Sequence, residues 1–283
     1  LHKIFRSFCF STGIGILANA FVIAVISIWE KCQKNRTVTN SFVVNLAIAD
    51  LLFLMTLPLH MPIILDNDGW VYGAAMCKII EAIKYINFRA SILFLTMMSV
   101  DRYLGIVFSM RSREYRTRRN AINTCFALWL LSCVAAIPVL LFAKVDPFRK
   151  TCELQFPGYQ SNFASASELE TFYSNFALFF ALPIICIIFC YCAIIRAVLT
   201  RHVRSNANKQ AGQHNVARMV AVLVGVFILS WGPFQTWRLL TLPPGQQVPH
   251  ADSCLVIETT VTVLAWSNSA INPILYSISS KRF

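Results

Sequence analysis

The stretch "ILFLTMMSVDRYLGIVF", from Ile92 to Phe108, sets Asp101 beside Arg102 at the end of a long apolar run. Neither charge can simply dangle in water there. An aspartate next to a guanidinium stays ionised, so the pair reads as an electrostatic device rather than an acid–base catalyst. Asp50 in "NLAIADLLFL" is another acid in an apolar run, with no charged neighbour close in sequence. Matching polar groups occur at Asn268, Ser269 and Asn272 in "AWSNSAINPILY", and at Asn87 and Ser91. Hard oxygen donors of this kind suit a small monovalent cation with water, or a protonated Asp50 in a hydrogen-bond network. They could equally serve only to join helices. A third group is cationic: Lys84, Arg89 and Arg238, with Glu81 and Glu258 as the nearby acids. No nucleophile–base pairing and no metal-site spacing of Cys or His accompanies these groups, which argues against an enzyme.

Such residues need elements that hold them inside apolar surroundings. Of 283 residues, 57% are hydrophobic and only 13% charged, too few polar groups to cover a soluble domain of this size. Charge-free runs span Phe8–Trp29, Asn120–Ala143, Thr171–Ile195, Met219–Trp237 and Thr259–Ser280. Two further apolar segments carry embedded charges: Ser41–Leu65 with Asp50, and Ile79–Phe108 with Glu81, Lys84, Arg89, Asp101 and Arg102. A bilayer core about 30 Å thick needs about 20 helical residues, and all seven segments approach or exceed that. The sequence predicts an all-α bundle of seven transmembrane helices forming a single domain over residues 1–283. The helices are expected over about 5–29, 40–65, 73–108, 119–143, 169–202, 210–242 and 252–277.

Charge sets the orientation. With the N-terminus outside, the inner loops hold Lys31, Lys34 and Arg36, then Arg111, Arg113, Arg116, Arg118 and Arg119, then Arg196, Arg201, Arg204, Lys209 and Arg218. Lys281 and Arg282 fall on the same side, and the first outer loop, "DNDGWVY", has no basic residue. This is the positive-inside bias. The net charge of +12 therefore faces cytosol, membrane lipids and an acidic partner, not nucleic acid. The first apolar run is expected to act as a signal anchor, and the natural chain to extend past both ends. The sequon Asn35-Arg36-Thr37 falls in an inner loop and is expected to stay unglycosylated.

Of the 10 cysteines, Cys9, Cys125, Cys133, Cys186, Cys190 and Cys192 lie within helices as small hydrophobes, and Cys32 faces the reducing side. Cys77 and Cys152 both face the oxidising side and are expected to form a disulfide; Cys254 has only Cys9 as an outer alternative. Pro138, Pro183, Pro233 and Pro273 each remove a backbone bond and kink a helix. Trp231 lies two residues before Pro233 and Phe227 one turn earlier, a bulky pair beside a weakened hinge that makes a candidate two-state element.

In chain order stand Asn19 in "GILAN", "NLAIAD" ending at Asp50, Asp101-Arg102-Tyr103, Trp129, Pro183 with Tyr191, "FILSWGPF" and "NPILY", with "WVYG" ahead of Cys77. On these motifs the chain resembles the rhodopsin-like (class A) G-protein-coupled receptors over essentially its whole length. The resemblance implies a multi-pass receptor of the plasma membrane that activates a heterotrimeric G protein, with a cytosolic amphipathic helix starting at 278–283. It gives coupling and switch roles to Asp101, Arg102, Tyr103, Tyr191, Phe227, Asn272, Pro273 and Tyr276. In that scheme Asp101 neutralises Arg102 at rest, and an opened inner end lets Arg102 meet a G-protein helix, Tyr191 and Tyr276. It is also consistent with an allosteric sodium ion at Asp50, Asn87, Ser91, Asn268 and Asn272, and with no other cofactor. The chain departs from the family in one respect. "NKQAGQHNVARM" has no acid, so no lock can form from Arg102 to the base of the sixth helix.

The stretches "TVTNSFVVNLAIADLLFLMTLPLHMP", "LTMMSVDRYLGIV" and "LAWSNSAINPILYSI" resemble the branch that holds galanin, somatostatin/opioid, melanin-concentrating-hormone and neuropeptide B/W receptors. That branch implies an extracellular neuropeptide ligand and coupling to inhibitory Gi/o proteins, with arrestin as a further partner. At the position matching Lys84 the amine receptors and the somatostatin, opioid and melanin-concentrating-hormone receptors carry an acid, so here the sign is reversed. An unpaired charge in a low-dielectric cleft is costly. The expected ligand is a peptide whose Asp, Glu or C-terminal carboxylate is inserted toward Lys84 and Arg238. Its pocket would be formed by Lys84, Tyr85, Phe88, Arg89, Trp231, Gln235, Arg238 and Glu258. The competing reading has Glu81 and Glu258 neutralise two of the three cations. A small carboxylate or lipid acid is the alternative ligand. An opsin is excluded, since Thr259–Ser280 holds no lysine. A transporter would show repeat symmetry or broken helices, and neither is visible. The intact Asp-Arg-Tyr and Asn-Pro-x-x-Tyr motifs argue against a silent decoy.

Overall fold

A computed structural model describes residues 2–33, 38–60, 69–147, 150–155, 166–200, 207–241 and 252–279. In a bilayer each peptide group must find its partner within its own segment, so long apolar runs become helices. They are α1 (His2–Gln33), α2 (Val38–Leu54) and α3 (Gly73–Val107). Next come α4 (Arg118–Ala135, resumed as Ile137–Phe142) and α5 (Ala166–Phe176 and Leu182–Thr200, joined by a π turn over Ala177–Ala181). The last two are α6 (Ala207–Thr241) and α7 (Asp252–Ser279). Among the described residues six helices are long and apolar enough to cross a membrane on composition alone. α7 is not among them, because Thr, Ser and Asn interrupt its apolar run; its place comes from packing against α1, α2 and α6. α3 is the central strut, in contact with α2, α4, α5 and α6.

Three helices depart in detail from the expected spans, the fourth helix at the proline expected to kink it. The second helix stops at Leu54 rather than 65, and a 3-10 turn over Leu57–His60 follows. Pro58 cannot donate and disfavours helix just before it; Thr56 fills the gap by donating its hydroxyl to the Phe53 carbonyl at 2.7 Å. Residues 61–65 lie outside the described residues. The fourth helix breaks at Ala136, whose N–H reaches back to the Cys133 and Val134 carbonyls, just before Pro138. The fifth helix is interrupted by its π turn. The bundle is all-α as expected, with one short hairpin in the loop after α4. β1 (Ala143–Val145) pairs antiparallel with β2 (Cys152–Leu154), in the register Ala143 to Leu154 and Val145 to Cys152. The sequon, the residues past Ser279 and the side chain of Cys9 lie outside the described residues, so the expectations for them stay open there.

The core gathers Phe42, Leu46, Phe94, Leu95, Met98, Leu223 and Phe227. Leu17, Phe21, Phe126, Leu199 and Leu229 instead face outward. Apolar residues on both faces are what a lipid-embedded helix requires, and such an exposed patch would be a liability in water. Close approach of α1 to α7 depends on Gly15, where a Cβ would fall 2.9 Å from Ala270 Cβ and 3.0 Å from Leu54 Cδ1. Asn19 secures the contact, donating Nδ2 to the Gly15 carbonyl at 2.9 Å and the Ser269 carbonyl at 3.0 Å.

Candidate functional site

The end of the bundle carrying the arginine-rich loop after α3 is the one expected from the charge bias to be the inner end. Asp101 is 4% exposed there and collects several donors. Thr39 donates its hydroxyl to Oδ2 at 3.1 Å, and Arg102 donates Nη2 to the same carboxylate and to Thr39. Arg116 closes the set with Nε to Oδ1 at 2.7 Å and Nη2 to Oδ2 at 3.2 Å. A Cβ on Gly105 would stand 2.6 Å from Arg116 Nη1, so the glycine gives this guanidinium its seat. Arg102 Nε has no acceptor. Tyr191 does not bond Arg102 but donates its hydroxyl to the Ala217 carbonyl at 3.0 Å, tying α5 to α6. Tyr103 packs edge-on against Phe108 and Phe189. The side chain of Tyr276 lies outside the described residues.

At mid-bundle Asp50 is fully buried. It accepts from Asn87 Nδ2 at 3.2 Å and from Asn272 Nδ2 at 2.8 Å, while Ser269 donates to Asn87 Oδ1 at 3.4 Å. Ser91 lies one turn along α3 from Asn87, and Asn268 one turn along α7 from Asn272. Ser91 Oγ, Asn268 Oδ1 and Nδ2, and Asn272 Oδ1 are buried without a hydrogen-bond partner. Unpaired oxygens beside a buried carboxylate suit a hard monovalent cation, so the residues present fit the sodium expected from the sequence.

Above this cluster Trp231 packs at a tilt against Phe88 at 4.6 Å and lies 6.2 Å from Phe227, within a continuous helix that contains Pro233. Gln235, one turn farther out, is buried. Lys84 pairs with Glu81 on its own helix and lies 5.8 Å from the Trp266 ring. Arg89 is 1% exposed and donates Nε and Nη2 to Asn175 Oδ1, at 3.0 and 2.6 Å. Its guanidinium sits 5.3 Å from the rings of both Tyr85 and Phe179. Arg238 lies 5.9 Å from the Phe172 ring. Glu258 is exposed and takes part in none of the ion pairs found among the described residues. The Glu81 half of the competing reading is therefore present, since Lys84 is answered by its helical neighbour.

At the outer end Cys77 and Cys152 form a disulfide with a Cα–Cα distance of 5.6 Å, fastening β2 to the start of α3. Cys254 is a free thiol. Trp70 braces the same region, its backbone N–H donating to the Lys150 carbonyl at 2.6 Å and its indole N–H to the Gly73 carbonyl at 2.8 Å.

The profile for 7 transmembrane receptors (rhodopsin family) matches residues 18–276. The chain belongs to this family. It is similar to apelin receptor B of Danio rerio, 32% identical over 95% of this chain and 77% of the relative. Somatostatin receptor type 2 of Mus musculus is 31% identical over 95% and 72%, and C-C chemokine receptor type 8 of Homo sapiens 30% identical over 98% and 75%. The receptor is a class A G-protein-coupled receptor, multi-pass in the plasma membrane, and a signalling protein rather than an enzyme. Four residues of the receptor's sites escape sequence reasoning: Thr39 and Arg116 on Asp101, and Asn175 and Phe179 on Arg89. Nothing distinguishes Arg116 from the other arginines of "RSREYRTRR", or Asn175 from the other polar residues of "TFYSNF".

Proposed function

We infer that the receptor binds an extracellular neuropeptide bearing an acidic group and activates a Gi/o protein. The observation that carries the ligand reading is charge. Lys84, Arg89 and Arg238 place three cations in the outer half of the helical bundle; Lys84 pairs with Glu81, whereas buried Arg89 is met by the neutral amide oxygen of Asn175. A peptide is favoured because relatives are named for somatostatin, apelin and C-C chemokines. Gi/o coupling rests on the short basic third inner loop and on the resemblance to the neuropeptide branch.

Agonist pressure on Phe88 is passed to Trp231 and Phe227 beside the Pro233 hinge. At the inner end Asp101 holds Arg102 and Arg116 at rest; release of Arg102 presents a guanidinium to the G protein. Asp50, Ser91, Asn268 and Asn272 would hold sodium in the resting state. Its charge, when bound, would balance the buried carboxylate and brace α2, α3 and α7.

A peptide library in free-acid and amidated forms, screened on cells reporting Gi activity, tests this reading. Acid-dependent agonists whose potency drops on Arg238→Glu and Lys84→Glu are expected. An agonist with no acidic group and full potency on both variants overturns the acidic-ligand reading. A small carboxylic acid as the sole active compound replaces the peptide.

A further inference from the structure

Arg89 is a buried arginine on the central helix of the bundle, and among the described residues it joins no ion pair. A guanidinium carries five N–H donors. Asn175 Oδ1 takes one from Nε and one from Nη2, which leaves one on Nη2 and two on Nη1. Nη1 is buried and has no acceptor. The ring faces of Tyr85 and Phe179 offset part of the charge, but rings accept no hydrogen bonds in the guanidinium plane. A role as structural glue would leave that edge satisfied, and here it is not.

The surroundings hold this arrangement in place. Asn175 donates its own Nδ2 to the Thr171 carbonyl at 2.7 Å, which turns the amide oxygen toward the arginine. The π turn Ala177–Ala181 begins two residues after Asn175 and contains Phe179. Its extra residue re-aims the outer segment of α5, so that both side chains fall on Arg89. Single π turns recur at functional sites for this reason.

We propose that Arg89 and Asn175 form a carboxylate subsite inside the bundle, on which the acidic group of the agonist docks. The proposal deepens the acid-bearing ligand reading above and rests on it, moving the docking point from Lys84 to Arg89. A carboxylate matches the donors of the unsatisfied edge end-on, one oxygen on Nη1 and the other on the remaining Nη2 hydrogen, while Asn175 keeps Nε. Phe88, adjacent in sequence, packs on Trp231, so an anion here loads the aromatic set directly.

The test uses the purified receptor in nanodiscs and its melting midpoint. The probes are N-acetyl-L-phenylalanine, its amide, and the α-amide of N-acetyl-L-glutamic acid. The two acids separate an α-carboxylate from a side-chain carboxylate, and the phenylalanine amide is the uncharged control. Both acids, or one of them, are expected to raise the midpoint, and the amide to leave it in place. Arg89→Gln is expected to weaken acid binding by about tenfold or more, the loss of a charge-assisted bond. Should that variant fail to fold, Asn175→Asp keeps the question open to experiment, because it places a carboxylate where the amide oxygen now touches Arg89. That variant is expected to melt higher without ligand and to lose the response to acids. Equal stabilisation by the amide, or an unchanged acid response in Asn175→Asp, overturns the subsite. Acid stabilisation together with agonists that need no acid supports the subsite and overturns the acid-bearing agonist instead.

Discussion

Replacing Asp101 by Asn isolates the charge at the centre of the inner cluster while keeping shape and one acceptor oxygen. Arg102 and Arg116 both bond this carboxylate, and Asp101 is 4% exposed. Charge-assisted bonds contribute about 1.5–3 kcal/mol each, and neutral ones about 0.5–1.5 kcal/mol. On the Arg102 side the difference is about 1.4 kcal/mol, which moves a resting–active equilibrium about tenfold. The Arg116 side chain is 26% exposed, so solvent screens it and its share of lost stability is about 1 kcal/mol. No acid within Ala207–Thr241 can take over the restraint. Agonist-independent nucleotide exchange, measured with purified G protein, is therefore expected to rise about tenfold, and the melting midpoint to fall. Exchange within twofold of wild type, with an unchanged midpoint, would refute the view that this carboxylate restrains Arg102.

Arg102→Ala should abolish exchange yet leave agonist affinity largely intact, since the residue sits near the opposite end of α3 from the disulfide; normal exchange in that variant sinks the coupling role. If Asp50 holds sodium at rest, raising sodium should lower agonist affinity in wild type by reciprocal linkage and leave Asp50→Ala indifferent; an indifferent wild type reduces the cluster to helix glue. Gly15→Val forces atoms into the Ala270 backbone and should cost about 1–3 kcal/mol through overpacking, read as a lower melting midpoint; no change would mean that α1 and α7 can separate freely. Removing either half of the Cys77–Cys152 bond should reduce surface expression or agonist binding, and mutants equal to wild type in both would show that the bond is dispensable.

What could be read before the fold was known divides along a physical line. Length and apolarity determine how many segments enter a bilayer, because the free energy of insertion depends on composition rather than on partners. Buried ionisable groups are legible for the same reason: Asp50, Asp101 and Arg89 stand out wherever they end up, since charge in an apolar run demands an answer. Lys84–Glu81 is legible too, being set by helical periodicity within one segment. Which partner answers the other charges is a different kind of question. Asp50 meets Asn272 across 222 residues, Asp101 selects Arg116 from several chemically equal arginines, and Arg89 meets Asn175 only because a π turn re-aims α5. Helix ends at Pro58 and Pro138 follow local rules, yet the β1–β2 hairpin has no periodic signal in its three-residue strands. Sequence thus determined the bilayer class and the identities of the charged groups through local solvation. The tertiary structure decided the pairing, because rotation and depth of each helix depend on contacts with every neighbour at once.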